Sequence, residues 1–231
     1  GLGVVSVVAV IQYNAPWLLP IFFGAFGPIV IMLGLHYAVT IPLALAAIEA
    51  FGYDMLGPGF LVANIAQGAA AFAVAAQAKD KGFKSLAIST GRSALLGTTE
   101  PALYGVNLRL KKPMVCACVA GGIGSAVAGV FGCAGTAFAL PALTTLPVFM
   151  SRAFVPFCIS LALAFGLAFL FTLFVPIDDV TEEEMEAEEQ SAVRIARPLY
   201  VPRLRVRLEV VPTWQQSVSV TDHISIRHCL T

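Results

Sequence analysis

Side chains able to do acid-base or hydrogen-bond chemistry are few in residues 1–177, and each sits in apolar surroundings. Glu100 lies in GTTEPALYG, residues 97–105, between a Gly-Thr-Thr turn and a proline. A charged side chain at the centre of a bilayer costs about 3 kcal/mol on insertion scales and normally faces a cavity or a partner. Gly97 and Gly105 permit a tight reversal, and the residue before Pro101 is pushed away from helical geometry. The spacing therefore predicts a carboxylate presented on non-helical backbone, either in an exposed loop or in a buried turn. His36, in IMLGLHYAVTIP, is the second candidate. Its imidazole can donate and accept, which suits a hydroxylated ligand; a lone histidine is more commonly satisfied by a carbonyl between helices. Asn64 and Gln67, three residues apart, fall on one helix face and can line a polar path or bridge helices. Arg92 is a candidate counter-ion for Glu100 or a side chain that snorkels to an interface. Glu49 and Asp54 read as carboxylates near a helix end, Asp54 especially, beside Gly52 and Tyr53.

The elements that must hold these groups are hydrophobic. The chain of 231 residues is 58% hydrophobic and 12% charged, with a mean hydropathy of +0.84; soluble domains carry about twice that charged fraction. The average hides a break near Pro176. Residues 1–177 hold twelve of the 28 charged side chains, eight basic and four acidic, and residues 178–231 hold the other sixteen. The net charge of zero is thus a sum of a lipid-compatible block and a polar, acidic tail. Four of the five cysteines (Cys116, Cys118, Cys133 and Cys158) lie in apolar runs, where cysteine packs as a small hydrophobe, and no metal or cofactor site is expected from their spacing.

A membrane-spanning helix needs about twenty mainly apolar residues. The run from Trp17 to Thr40 qualifies, as do residues 58–78, 113–133 and 153–175; residues 41–57 are apolar but carry Glu49 and Asp54. Two short loops, AKDKGFK at 78–84 and NLRLKK at 107–112, are basic, which marks a cytoplasmic side. The 85–106 segment between them is too short for two full spans, so it is expected to enter the membrane and return. Irregular backbone at that depth is tolerated only inside protein or along a cavity. Residues 134–152, with two prolines, are a second segment of this kind. The start, GLGVVSVVAV, has no Met and no basic leader, and reads as the inside of a hydrophobic segment that began earlier. Beyond Val175, IDDVTEEEMEAEEQ reads as a solvated acidic linker, and the Pro-interrupted remainder as an irregular tail. No phosphate-binding lysine loop or Ser-His-Asp set is present, and the basic loops are too short to suggest nucleic-acid binding.

The run ANIAQGAAAFAVAAQAKDKGFKSLAISTGRSALLGTTEPALYGVNLRLKKP (63–113) resembles the membrane domain, enzyme IIC, of bacterial phosphotransferase-system sugar permeases, in the β-glucoside, sucrose and trehalose branch of the glucose superfamily. GTTEPALYGVNL fits that family's Gly-[Ile/Val]-Thr-Glu-Pro-Ala-x-[Tyr/Phe]-Gly-[Val/Ile]-Asn-Leu signature, with Thr98 in place of the usual Ile or Val. GLHYAVTIPLALAAIEAFGYDMLGP (34–58) resembles the upstream histidine segment, with Glu49 where the family is commonly uncharged. The likeness covers about residues 10–175, the second half of such a domain. It implies an all-α polytopic membrane protein with re-entrant hairpins over 1–177, followed by a linker and tail over 178–231.

The resemblance further implies sugar binding by His36 and Glu100, with Glu100 also taking the proton of the attacking sugar hydroxyl; Asn64, Gln67 and Thr99 are the further candidates for the sugar-binding set. The phosphoryl donor would be a phosphocysteine on a partner enzyme IIB domain, supplied through enzyme IIA and a phosphocarrier protein; this chain has no phosphorylating domain of its own. A bacterial inner-membrane location, cytoplasmic basic loops and tail, a lipid surround and a homodimer complete the expectation. A proton-coupled transporter using Glu100 and His36 as a relay, and an inactive permease fragment, are the alternatives.

Overall fold

A computed structural model describes residues 10–177, except residues 12, 35, 151 and 152; the expected linker and tail over 178–231 lie outside the described residues. Helices α1 (Leu18–Met32), α2 (His36–Phe51), α3 (Leu56–Gln77) and α4 (Lys81–Leu95) come first. A short α5 (Glu100–Ala102) runs through a π-helical turn (Leu103–Asn107) into α6 (Leu108–Leu110). Then come α7 (Lys112–Val130), a 3-10 helix (Leu143–Phe149) and α8 (Phe154–Phe174). Among the described residues there is no strand, only an isolated antiparallel bridge between Asp54 and Gly135.

Helix α3 is the axis of the bundle. Its sequence, LGPGFLVANIAQGAAAFAVAAQ, is small-residue-rich on every face, and nearly all of it is buried. Short side chains let α1, α4, α7 and α8 approach it from different sides, the means by which membrane helices associate without a hydrophobic drive between them. The same device recurs around it. Gly121 of α7 abuts the backbone of Gly24 in α1, and Gly129 abuts the Trp17 carbonyl. Ser160 Oγ donates to the Gly124 carbonyl at 2.7 Å, joining α7 to α8. By contrast α2 packs only lightly on α1 and α3, burying Leu43, Ala44 and Ala47.

Three helices, Leu56–Gln77, Lys112–Val130 and Phe154–Phe174, are long and apolar enough to cross a membrane. The outward faces of the last two carry Val115, Val119, Ile123, Val155, Ile159 and Leu170, an apolar surface that suits lipid and not water. The expected single span from Trp17 to Thr40 is two elements instead. Hydropathy is continuous there, but the helix closes at Met32, Gly34 takes a left-handed φ of +69°, and a new helix opens at His36. The 41–57 segment is likewise divided: residues 41–51 belong to α2, which stops before Gly52 at φ +77°, and α3 opens at Leu56.

The 85–106 segment forms a helical hairpin, α4 returning through α5, the π turn and α6. Asp80 caps α4, its Oδ1 accepting from Phe83 N at 2.7 Å. Gly97, at φ +96°, makes the reversal. Both basic segments and the end of α8 meet at one end of the bundle. Ala78, Leu110 and Ile177 share a cluster, Gln77 Nε2 donates to the Thr172 carbonyl at 2.8 Å, and Lys112 Nζ donates to the Pro176 carbonyl at 2.8 Å.

Candidate functional site

Glu100 opens a helical turn, which differs from the expected non-helical backbone. Pro101 stands in the first turn of that helix, where its missing N–H would have had no partner in any case. Gly97 alone makes the bend; Gly105 lies inside the π turn. The Ser93 hydroxyl donates to the Thr98 carbonyl at 3.0 Å and ties the outgoing helix to the tip. Helix α4 has 15 residues, so the tip lies about 22 Å from its start at the 1.5 Å rise of an α-helix.

The tip meets α2 at its first residue. His36 Nε2 lies 3.4 Å from Glu100 Oε1. The imidazole is mostly buried, at 17% exposure, and the carboxylate is 37% exposed. His36 Nδ1 is buried with no hydrogen-bond partner. The Thr40 hydroxyl, one turn along α2, donates to the His36 carbonyl and so holds the start of the helix. Arg92, the expected counter-ion candidate, does not pair with Glu100; it lines a surface groove with Lys81 and Lys84.

A cavity open at its mouth lies between α2, α3, the hairpin tip and the 138–141 segment. His36, Thr40, Asp54, Asn64, Thr99 and Glu100 supply its polar wall, and Tyr37, Phe60, Phe138 and Pro141 supply aromatic and apolar surface. That is a common make-up for small-molecule sites, mostly apolar with a few placed polar groups. Asn64 Nδ2 donates to the Pro141 carbonyl at 2.7 Å, and Asn64 Oδ1 is left without a partner. Thr99 is buried at the tip, its carbonyl accepting from Leu103 N at 2.8 Å.

Gln67 stands apart from the cavity. It is fully buried, with neither carboxamide atom partnered, and its carbonyl accepts from Asn107 Nδ2 at 3.1 Å. Three residues on a helix are one short turn apart but about 60° apart around the axis, a consequence of 3.6 residues per turn. That offset keeps Gln67 out of the cavity lining, and it is its main-chain carbonyl that meets the π turn. Asp54, read from sequence as a helix-end carboxylate, is at the start of α3 and also in the cavity wall. Its oxygens accept from Leu56 N at 2.8 Å and Gly57 N at 3.0 Å, and its backbone pairs in both directions with Gly135. Burial pushes the Asp54 carboxyl up from its ordinary value, against those two donors, which favour the carboxylate. Glu49 is exposed on α2. The wall residues Thr40, Tyr37 and Phe138 have no sequence signal of their own; only chain folding brings them in.

Comparison with known proteins places this geometry in a family. The sequence profile described as "Phosphotransferase system, EIIC" matches residues 2–121. The chain is 39% identical over 156 residues to the PTS system beta-glucoside-specific EIIBCA component of Bacillus subtilis (strain 168), covering 67% of the chain and 26% of that protein. It is 33% identical over 193 residues to the PTS system arbutin-, cellobiose-, and salicin-specific EIIBC component of Escherichia coli (strain K12), covering 81% of the chain and 40% of that protein. It is 30% identical over 174 residues to the PTS system sucrose-specific EIIBC component of Salmonella typhimurium, covering 75% and 38%. The chain thus spans about a quarter to two fifths of the length of these relatives. No solved structure matches. The sequence match and the apolar, spanning helices together show that the chain belongs to the phosphotransferase system EIIC family and is an integral membrane protein.

Proposed function

We propose that this chain is the sugar-binding and translocating part of a phosphoenolpyruvate-dependent sugar phosphotransferase system, and that its cavity takes a β-glucoside or a related glucoside. The observation that carries this reading is the His36–Glu100 pair on the wall of the cavity, in a chain of the EIIC family. A carboxylate accepts from sugar hydroxyls, a neutral imidazole does either, and the unpartnered Asn64 Oδ1 is a further acceptor. Thr99 and Gln67 belong to the proposed sugar-contacting set, Gln67 only after a rearrangement that uncovers it. The names of the relatives, β-glucoside, arbutin, cellobiose, salicin and sucrose, support a glucoside in the cavity.

The relatives are EIIBC or EIIBCA proteins, which supports a phosphorylated EIIB domain as the partner, charged in turn through EIIA and the phosphocarrier protein. In the transfer step the sugar hydroxyl oxygen attacks the phosphorus of the partner's phosphocysteine. The new P–O bond forms, the P–S bond breaks, the thiolate leaves, and the hydroxyl proton passes to the Glu100 carboxylate, a general-base role. The protein lies in a bacterial inner membrane as a homodimer surrounded by lipid, with residues 1–177 as the membrane part and 178–231 as linker and tail. Its basic segments and the tail face the cytoplasm. The convergence of 78–84, 107–112 and the end of α8 at one end supports that orientation.

The test is binding of radiolabelled methyl β-glucoside to the purified chain in nanodiscs, with phosphoryl transfer from phosphorylated EIIB as the second readout. Glu100→Gln is expected to abolish both while leaving membrane insertion intact. Normal binding and transfer by that variant overturns the role of Glu100. Uptake that collapses with the proton gradient yet ignores loss of the phosphotransferase proteins overturns the reading as a whole.

A further inference from the structure

The hairpin that carries Glu100 has a second polar surface, on the side of α4 that faces away from the bundle. Its buried face is Phe83, Ala87, Thr90, Gly91 and Ala94. The other face holds Lys81, Lys84, Ser85, Ile88, Ser89 and Arg92, which line an open groove. From Lys81 to Arg92 this face rises about 16 Å along the helix. Among the described residues no carboxylate pairs with Lys81, Lys84 or Arg92. The outward faces of α7 and α8 are apolar; this one is cationic and hydroxylated. This face starts at the basic end of the bundle with Lys81 and Lys84 and carries a third cation, Arg92, about 16 Å along the helix from Lys81; a charge that far in needs water or an anion against it, because charge in hydrocarbon is strongly disfavoured.

We propose that this groove binds the phosphorylated product, a sugar phosphate, by its phosphate monoester dianion. The inference rests on the function proposed above, which makes the product a sugar phosphate. A neutral sugar gains hydrogen bonds but no charge attraction from three cations, whereas a phosphate monoester carries close to two negative charges near neutral pH and presents strong acceptor oxygens. Arginine pairs with such oxygens through two parallel N–H donors, and lysine acts as a point charge. The placement fits release after transfer. The tip residues Gly97, Thr99 and Glu100 line the sugar cavity, while the same hairpin's first helix lines the groove. The groove begins about a turn from the tip, at Arg92, and ends at Lys81, at the bundle end where the other basic segment lies. Cations along that course draw an anion away from the Glu100 carboxylate and toward that end.

The test uses the full chain in nanodiscs of zwitterionic lipid, with three probes: glucose 6-phosphate, inorganic phosphate and methyl β-glucoside. Glucose 6-phosphate is expected to bind, and the double variant Lys84→Gln/Arg92→Gln to weaken it about tenfold or more, as loss of charge-assisted contacts does. Rising salt should weaken it too, and Arg92→Lys should restore part of the binding. Methyl β-glucoside binding should be unchanged in the double variant and lost in Glu100→Gln. No binding of glucose 6-phosphate, or binding indifferent to the double variant, overturns the proposal. Inorganic phosphate is expected to compete, since the groove holds the phosphate end of the product; failure of inorganic phosphate to displace glucose 6-phosphate overturns the proposal as well. Should methyl β-glucoside fail to bind the unaltered chain while glucose 6-phosphate binding still depends on Arg92, the function proposed for the cavity fails and the groove assignment stands.

Discussion

Asn64 and Pro141, 77 residues apart, are joined by a 2.7 Å hydrogen bond from the Asn64 carboxamide nitrogen to the Pro141 carbonyl. The bond fastens the irregular 138–141 segment over the middle of α3 and fixes which way the asparagine oxygen points. That oxygen is free to accept from a ligand. Asn64→Asp removes the donor, leaves the Pro141 carbonyl unpaired, and puts a charge in the wall. An unpaired buried group costs about 1–3 kcal/mol. The variant should therefore lower the melting temperature in detergent and weaken methyl β-glucoside binding together. A change in binding with unchanged melting would show that the bond does not hold the segment.

Asp54 sets a pH dependence. Its carboxyl is raised from the ordinary value by burial, with two backbone donors pulling the other way. A raised carboxyl binds its proton more tightly in the folded state than in the unfolded one. Its contribution to stability is therefore fully present below the ordinary Asp range and declines as pH rises through the higher folded value. Asp54→Asn removes the titration and keeps an oxygen for Leu56 N, so its melting temperature should lack this part of the decline. Asp54→Ala loses the cap as well, about 1 kcal/mol. Melting curves of the three proteins between acidic and neutral pH make the comparison, and parallel curves for unaltered protein and Asp54→Asn would remove Asp54 as the titrating group.

Glycine matters at some positions in the bundle and not at others. A Cβ on Gly121 would collide with the Gly24 carbonyl, backbone that cannot swing aside, whereas a Cβ on Gly166 meets nothing within 4 Å. Gly121→Ala should cost about 1–3 kcal/mol, as overpacking does. Gly166→Ala, inside α8, should be neutral or gain up to about 1 kcal/mol from the stiffer helix. Thermal unfolding in one detergent ranks the two, and equal melting temperatures would mean that α1 and α7 are not in the contact described.

The hairpin was legible in the sequence because its signals are local: two basic loops 22 residues apart, and a glycine before a Thr-Thr-Glu-Pro run. The spans at 56–77, 112–130 and 154–174 were legible from length and hydropathy alone. What misled is equally physical. The break at Gly34 is invisible to hydropathy, because glycine between apolar residues does not lower the window. Asn64 and Gln67 share a face by spacing, yet 60° of rotation separates a wall residue from a fully buried one. The segment over the cavity, Phe138 to Pro141, lies inside the 134–152 stretch whose prolines mark irregular backbone, but it contains no polar side chain, so nothing in its composition marks which of its residues line the cavity. The proximity of His36 to Glu100 came only from family resemblance, since residues 64 apart in sequence carry no spacing rule that joins them.

That pair supports a sharper experiment than either single variant. His36 Nε2 lies 3.4 Å from Glu100 Oε1, and on the proposed function a sugar hydroxyl bridging them would be held by both at once. Removing one then leaves the other misplaced, so the second removal should cost little. Residues in direct contact show coupling of about 0.5–3 kcal/mol in double-mutant cycles. For His36→Ala, Glu100→Gln and the double variant, methyl β-glucoside dissociation constants should be strongly non-additive, the double variant binding about as weakly as the worse single one. His36→Gln, which keeps a donor and an acceptor, should retain more binding than His36→Ala. Additive losses would mean that the histidine and the carboxylate meet different parts of the ligand, and that their proximity does not persist around a bound sugar.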